Sequence, residues 1–386
     1  MPHMKRLLLA IILIAFVHDS NAQKLYRARN ESHAFGFINE KGEWVIPAIY
    51  LKVADFHDGV ARVKLNDGKW TYLDERGEKI TKLVFSTAKD FANGIARVEY
   101  NGHYGTIDQR GQWIIPPKFD YIDIFRDGLA MAKIKHWGFI NEKGEWVIQP
   151  KFERLFIFSE DLAQARISRD WGYIDSTGNW IIQPKYVHAE KFSNGVAWVE
   201  NSDGLTIIDK TEKIMKQTSQ QFQTVRDFND GVARVKVNKL WGLVDNTGNW
   251  LAKPIFSRVE TFNDGVARAK AIYGKWGFIN EKGEWIIKPN FGRIRNFSDG
   301  LAAANFEGLW GYLNKKGDWA IRPRFQNAAM FVDGRAVVRQ KGKWGIIDTS
   351  GNFVIYTNFS YIFPRVETAG DDDDDTNAEE SAEEKE

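Results

Sequence analysis

The feature that most constrains this chain is that it repeats itself. An aromatic residue followed by glycine returns at Phe35-Gly36, Tyr104-Gly105, Trp137-Gly138, Trp171-Gly172, Trp241-Gly242, Trp276-Gly277, Trp310-Gly311 and Trp344-Gly345, with weaker copies at Trp70-Thr71 and Leu205-Thr206. Ten units result, 33 to 36 residues apart. A period of that length is one supersecondary unit per repeat, too small to bury its own apolar surface and so obliged to pack on its neighbours. Fourteen of the 15 tryptophans fall on two positions of the unit, the first aromatic and the residue nine later, as at Trp137 and Trp146. Trp198 alone stands outside them, so tryptophan is here mainly a framework residue.

Turn chemistry shapes the unit. In the stretch from Trp137 to Ile148, Asn141 opens and Gly144 closes a four-residue segment between two β-prone runs, the pattern of a hairpin loop with a bulge. The spacing predicts Asn141 opposite Glu145, Ile140 opposite Trp146 and Phe139 opposite Val147. Both faces of such a sheet are apolar, and in a tandem array the neighbouring unit covers them. Pro150, with no N–H for a ladder, is expected to end the strand. A turn such as Asp58-Gly59 then begins a third strand of the kind Val60–Lys64.

The expectation is therefore an all-β chain of tandem three-stranded antiparallel meanders. An open, twisted superhelical array is favoured, because propellers typically have about four to eight four-stranded blades. A closed propeller-like ring is the alternative, because the last unit lacks its third strand after Phe359 while Leu25–Arg29 supplies a spare one at the start. Unit six departs most, with Leu205-Thr206 for Trp-Gly, Glu212 at the turn glycine and Thr218 for proline. The stretch 201–228 reads as a degenerate copy that could also be a flexing seam.

With several positions recurring together, the unit resembles that of bacterial WG-repeat proteins, also called KWG-repeat proteins. Lys275-Trp276-Gly277-Phe278-Ile279-Asn280 and Lys343-Trp344-Gly345 are close copies, and the resemblance covers residues 25 to about 363. It implies a β-repeat scaffold and brings no catalytic residues with it.

The two ends read differently. Lys5 and Arg6, the apolar run Leu7–Val17 and Ser20-Asn21-Ala22 make the pattern of a secretory signal, so residues 1–22 are expected to be cleaved. Eleven apolar residues are too few to span a bilayer comfortably, which leaves no transmembrane segment after cleavage. Export to the periplasm, cell surface or medium follows, and nucleic acid is a poor partner there. Residues 371–386 hold ten carboxylates and Lys385, net −9, and are expected to be a disordered acidic tail. The whole chain is +2 and residues 1–22 are +1, so the repeat region, residues 23–370, is left at +10.

No catalytic signature accompanies the repeats. There is no nucleophile elbow, phosphate-binding glycine loop or His-Glu-x-x-His, and with no cysteine the scattered His33, His57, His103, His136 and His188 make no zinc spacing. Most carboxylates recur at turns, which gives them a structural reason, and Glu153 and Glu260 have no evident partner. No enzyme, cofactor or metal is expected.

The feature richest in function is a basic series on the strand after the Asp-Gly turn. Arg62, Arg97, Arg234 and Arg268 recur at one position, and Lys64, Lys133, Arg166, Lys236, Lys270 and Arg339 two residues on. Alternation places both positions on one strand face. Stacked repeats would line them into a stripe able to hold a protein segment, an anionic envelope polymer or, intramolecularly, the acidic tail. The reading that follows is an exported, non-enzymatic scaffold with a long multivalent surface. The alternative is a glycan-binding module or carbohydrate-active enzyme using exposed aromatic faces, with Trp198 as the contact.

Overall fold

A computed structural model describes residues 24–217, 222–229, 231–356 and 361–362. Among these the regular structure is all strand, arranged as small antiparallel sheets in tandem. Most units have four strands rather than three, while unit two has the three strands Lys52–Val53, Val60–Lys64 and Trp70–Asp74. A two-residue strand precedes the Asp-Gly turn, as where Tyr121–Ile122 pairs with Lys133 and Ala132. Two paired residues are too short a run to show in the sequence pattern. In unit four the remaining strands are Leu129–Ile134, His136–Asn141 and Trp146–Phe152. The strand Trp250–Val259 runs from unit seven into unit eight and joins their sheets into one of seven strands.

The third-to-fourth-strand hairpin has the expected turn, with Asn141 N–H bonded to Glu145 O at 2.9 Å and Gly144 N–H to Asn141 O at 2.9 Å. Ile140 lies opposite Trp146, but Phe139 pairs with Ile148 rather than Val147. A bulge at Val147 turns Ile148 onto the face of Phe139, where both are buried, and leaves Val147 46% exposed. Pro150 does not end the strand, which continues through it to Phe152. The shift between Phe139–Ile148 and Trp137–Phe152 places the proline in a second irregularity of this edge strand, where a missing N–H breaks no ladder.

That irregularity explains the glycine of the motif. At Gly311 the backbone of the fourth strand comes so close that a Cβ would lie 2.5 Å from Ile321 O and 2.8 Å from Trp319 Cζ3. The tryptophan nine residues after the first aromatic thus lies over the glycine and also reaches the preceding unit. Trp146 meets Phe119 edge-on, with centroids 5.5 Å apart and planes at 77°. Such a contact adds about 0.5–1.5 kcal/mol to the burial of both rings.

Ten buried apolar clusters follow one another round the chain, each drawn from two consecutive units. The tenth joins unit ten to unit one, packing Val337, Trp344 and Ile346 against Tyr26, Ala28 and Ile38. Tyr361–Ile362 meanwhile pairs with Arg29 and Ala28 and so supplies the first strand of unit one. Of the two expected arrangements, the preference for an open array gives way to the ring. An end unit apolar on both faces leaves one uncovered unless the two ends meet. Unit six is still folded as a repeat, with Gly204–Asp209 paired to Val196–Asn201 and to Ile214–Gln217. Glu212 replaces the turn glycine at a φ of 66°.

Candidate functional site

The meander topology gives the ring two different rims. The first and third turns of every unit fall on one, the second turn and the unit-to-unit corner on the other. Cross-contacts bear this out. Gln109, in a third turn, donates to Asp58 O in a first turn at 2.8 Å, and Lys210 likewise to Glu160 O at 2.7 Å. On the opposite rim, Lys135 N–H in a second turn donates to Asp120 Oδ2 at a unit corner, at 2.9 Å. First turns of adjacent units also bond directly, Gly94 N–H to Asp58 Oδ2 at 2.8 Å and Gly334 N–H to Asp299 Oδ2 at 2.7 Å. Equivalent turns touch in this way where blades converge on the axis of the ring.

Charge divides between the rims. The first-turn rim carries acids such as Asp58, Asp127, Asp264, Asp299 and Asp333, and in its third turns Glu43, Glu145 and Glu284. Many of these hold turns: Asp175 Oδ1 accepts from Thr177 N–H and Asn179 N–H at 2.9 and 3.0 Å, and its hydrogen bonds, that of the Thr177 hydroxyl foremost, keep it below the ordinary carboxylate range. The second-turn rim carries the basic strand ends.

The two halves of the basic series have different surroundings. Arg62, Arg97, Arg234 and Arg268 do share a strand face with the second half, but that face is covered by the next unit. Arg62 forms an ion pair with Asp90 at 2.7 Å and donates to Ala88 O at 3.1 Å. Arg97 is 6% exposed and donates to Ile122 O, with Asp123 at 3.2 Å. Arg234 donates to Val259 O and Arg268 to Ile294 O, each at 2.8 Å, and burial pulls both guanidinium pKa values below their ordinary value. All four acceptor carbonyls are equivalent, lying on the first strand of the following unit. These arginines are staples between blades rather than a stripe, a correction forced by blade packing. Arg27, beside Asp55 at 2.8 Å, is a fifth that the sequence pattern did not single out.

The second half reaches the rim. Lys64, Lys133, Lys236 and Lys270 are half-buried, and their ammonium groups stand 5.7, 5.7, 5.7 and 5.8 Å from the centroids of Trp70, Trp137, Trp241 and Trp276. Arg166 and Arg339 take the same place over Trp171 and Trp344, at 5.6 and 6.0 Å, and Arg29 over Phe35 at 6.0 Å. Each cation faces its aromatic directly across the second hairpin, as in the pairs Lys64–Trp70 and Lys270–Trp276. The ring quadrupole attracts and orients the charge. The series is broken at units three, six and nine by Glu99, Glu200 and Asn305, opposite Tyr104, Leu205 and Trp310. Around the closed ring the cations therefore fall in three runs, Arg339–Arg29–Lys64, Lys133–Arg166 and Lys236–Lys270.

Trp198 is no surface contact. It is 1% exposed, stacked on Phe228 at 5.7 Å and 11°, and part of the cluster between units six and seven. It occupies the staple position, where Arg62 and Arg97 stand in their units. Asp227, the counterpart of Asp90, thus faces no guanidinium, and its Oδ1 is buried with no hydrogen-bond partner among the described residues. Lys191 lies 3.4 Å from its other oxygen, and burial together with the neighbouring Glu190 raises its pKa to about 6. Glu190 itself is held below its ordinary value by His188, 2.9 Å away, whose own pKa is raised in return. The residue-by-residue pattern gave no hint of this cluster.

Glu153 and Glu260, without evident partners in the sequence, are 3.6 and 2.6 Å from Arg166 and Arg258. Among the described residues no His, Asp and Glu side chains gather as metal ligands, and no helix is long and apolar enough to cross a membrane. The segment expected to be a signal, residues 1–22, and the acidic tail, residues 371–386, lie outside the described residues.

A family model described as WG containing repeat matches residues 35–70, 70–103, 104–135, 137–168, 171–204, 207–241, 241–276, 276–310, 310–344 and 344–364. Among solved structures the chain is similar to the eukaryotic initiation factor, with 12% identity and a TM-score of 0.52 over 90% of this chain and 99% of that one. At that identity the likeness is one of fold, which is propeller-like. It is also similar to BamB from Moraxella catarrhalis, with 12% identity and a TM-score of 0.32 over 76% of this chain and 94% of that one. No curated protein sequence matches the chain.

Proposed function

Starting from the fact that the chain belongs to the WG-containing repeat family, we propose that it is an exported, non-enzymatic binding scaffold that holds an anionic partner, a protein segment or an envelope polymer, on the basic rim of its ring. The observation that carries this reading is the series of cations seated over the motif aromatics on one rim, while the recurring first-turn acids stand on the other. An aromatic ring beneath each ammonium or guanidinium restrains it before a partner arrives, which lowers the ordering cost of binding. Three runs of two or three cations then act together. Each contact is weak and screened by salt, but the second and third engage at high effective concentration once the first has formed.

Export rests on the segment Lys5–Ala22 and its charged, apolar and small-residue order. The non-enzymatic reading rests on the carboxylates, most of which recur by unit and hold turns or blade junctions.

Binding of the full chain to immobilised polyglutamate, followed at rising salt, tests the proposal. The expected result is an affinity that falls steeply with salt and at least about tenfold in Lys64→Glu/Lys133→Glu/Lys236→Glu/Lys270→Glu. Affinity indifferent to both would sink it.

A further inference from the structure

The two rims are matched to each other as well as opposite in charge. In most units the first turn on one rim and the residue over the motif aromatic on the other change character together; unit nine is the exception, with Asp299 in the first turn and the neutral Asn305 opposite Trp310. Unit two has Asp58 and Lys64, unit four Asp127 and Lys133, unit five Glu160 and Arg166, unit eight Asp264 and Lys270, and unit ten Asp333 and Arg339. At unit three the rim cation is replaced by Glu99, and there the first turn has Asn93 instead of an acid. Unit six repeats the exchange, with Glu200 on one rim and Asn194 on the other. The paired groups sit at opposite ends of the sheet, so contact within one ring does not account for the match.

We propose that a second copy of this chain docks head-to-tail on the basic rim, unit over unit, so that the first-turn acids of one ring face the rim cations of the same units in the next, with Asp299 meeting the neutral Asn305. The proposal rests on the basic rim being a binding surface, as proposed above, and identifies one occupant of it. In that register Lys64 meets Asp58 and Lys133 meets Asp127, while Glu99 and Glu200 meet the neutral Asn93 and Asn194 rather than another carboxylate. Rotating one ring by a single unit places Glu99 against Asp58 or Asp127, a like-charge contact that disfavours the slipped arrangement. Both rims carry the same ten-unit period, so the contacts form together without adjustment of either ring. The contact joins different surfaces of the two copies and does not close on itself, so association continues beyond a dimer into short columns.

Sedimentation velocity of the full chain at about 20 mM and about 500 mM salt reads this directly, because exposed charge pairs are screened at the higher value. The expected result is growth past the dimer with concentration at low salt and a monomer at high salt. Lys64→Glu/Lys133→Glu/Lys270→Glu should remain a monomer, as should Asp58→Lys/Asp127→Lys/Asp264→Lys, and an equimolar mixture of the two should associate again. The chain has no cysteine, so register can be read by oxidation: Asp127→Cys/Lys133→Cys should yield disulfide-linked ladders, and Asp127→Cys/Lys236→Cys should not.

A monomer at all concentrations in low salt, association untouched by salt and charge reversal, or equal cross-linking in both cysteine variants would each overturn the proposal. Polyglutamate binding separates the two readings. A chain that binds it but never associates retains the basic rim as a binding surface and loses the second copy as its occupant. A chain that does neither loses both.

Discussion

The junction between units two and three and that between units six and seven solve one packing problem in opposite ways. At the first, Arg62 crosses the gap, pairs with Asp90 and caps a backbone carbonyl of the next unit. At the second, Trp198 fills the same position, buries its ring against Phe228 and leaves Asp227 to Glu190, Lys191 and a raised pKa. A guanidinium satisfies polar groups it cannot leave wet, whereas an indole excludes water and adds apolar area. The price of the indole is a carboxylate that has lost its guanidinium and is left with Lys191, 3.4 Å away. Equal topology thus yields one junction whose apolar cluster is supplemented by an ion pair and another whose apolar cluster is enlarged by an indole and linked to pH.

Six substitutions would break or sharpen that contrast. The largest effect is expected from Trp198→Ala, which removes a fully buried aromatic and should lower the unfolding free energy by about 3–5 kcal/mol, measured by urea denaturation. Trp198→Arg should cost less than that and abolish the pH sensitivity of the junction, since a guanidinium is returned to Asp227. Next comes Arg62→Met, expected to cost about 2–4 kcal/mol by stranding Asp90. Adding Asp90→Leu should recover most of the loss, and no recovery would show that the staple acts through the carbonyl instead.

A smaller effect of opposite sign is expected at Asp227. Its pKa is raised in the folded chain, so its contribution to stability is complete below the ordinary carboxylate range and is lost as pH rises through about 6. Asp227→Asn should therefore be more stable than the parent at pH 7, by about 1–2 kcal/mol, with the gap closing towards pH 4. A gap that widens on acidification would contradict the assignment. The smallest change should come from Lys64→Gln on the rim, about 0.5–1 kcal/mol for a half-exposed cation over Trp70. Two cations two residues apart on one strand, Arg62 and Lys64, should thus differ severalfold in what they contribute.

Much of this molecule was legible along the chain. The period, the Asn141–Gly144 turn, the pairing of Ile140 with Trp146 and the double-sided apolar sheet all rest on local rules of turn geometry and alternation, and all are present. The two-residue first strand was not, because so short a run carries no periodicity. Nor was the bulge at Val147, since the sequence of an edge strand does not say where its ladder slips. Alternation correctly placed Arg62 and Lys64 on one face, but it is silent about how far the next unit extends over that face. Trp198 was conspicuous as the one tryptophan off the framework, and its departure does mark a distinct junction, although it lies inside the molecule.

By itself the sequence determined the unit, its turns, its apolar faces and the presence of a basic series, because each depends on residues within one repeat. Closure of the ring, the covering of Arg97 and Trp198, and the exposure of Lys64 and its equivalents were decided by the tertiary structure. Those outcomes depend on pairings such as Ala28 with Ile362, from opposite ends of the chain. They exist only once every unit has found its neighbour, since a sheet with two apolar faces has no stable edge until the last has met the first.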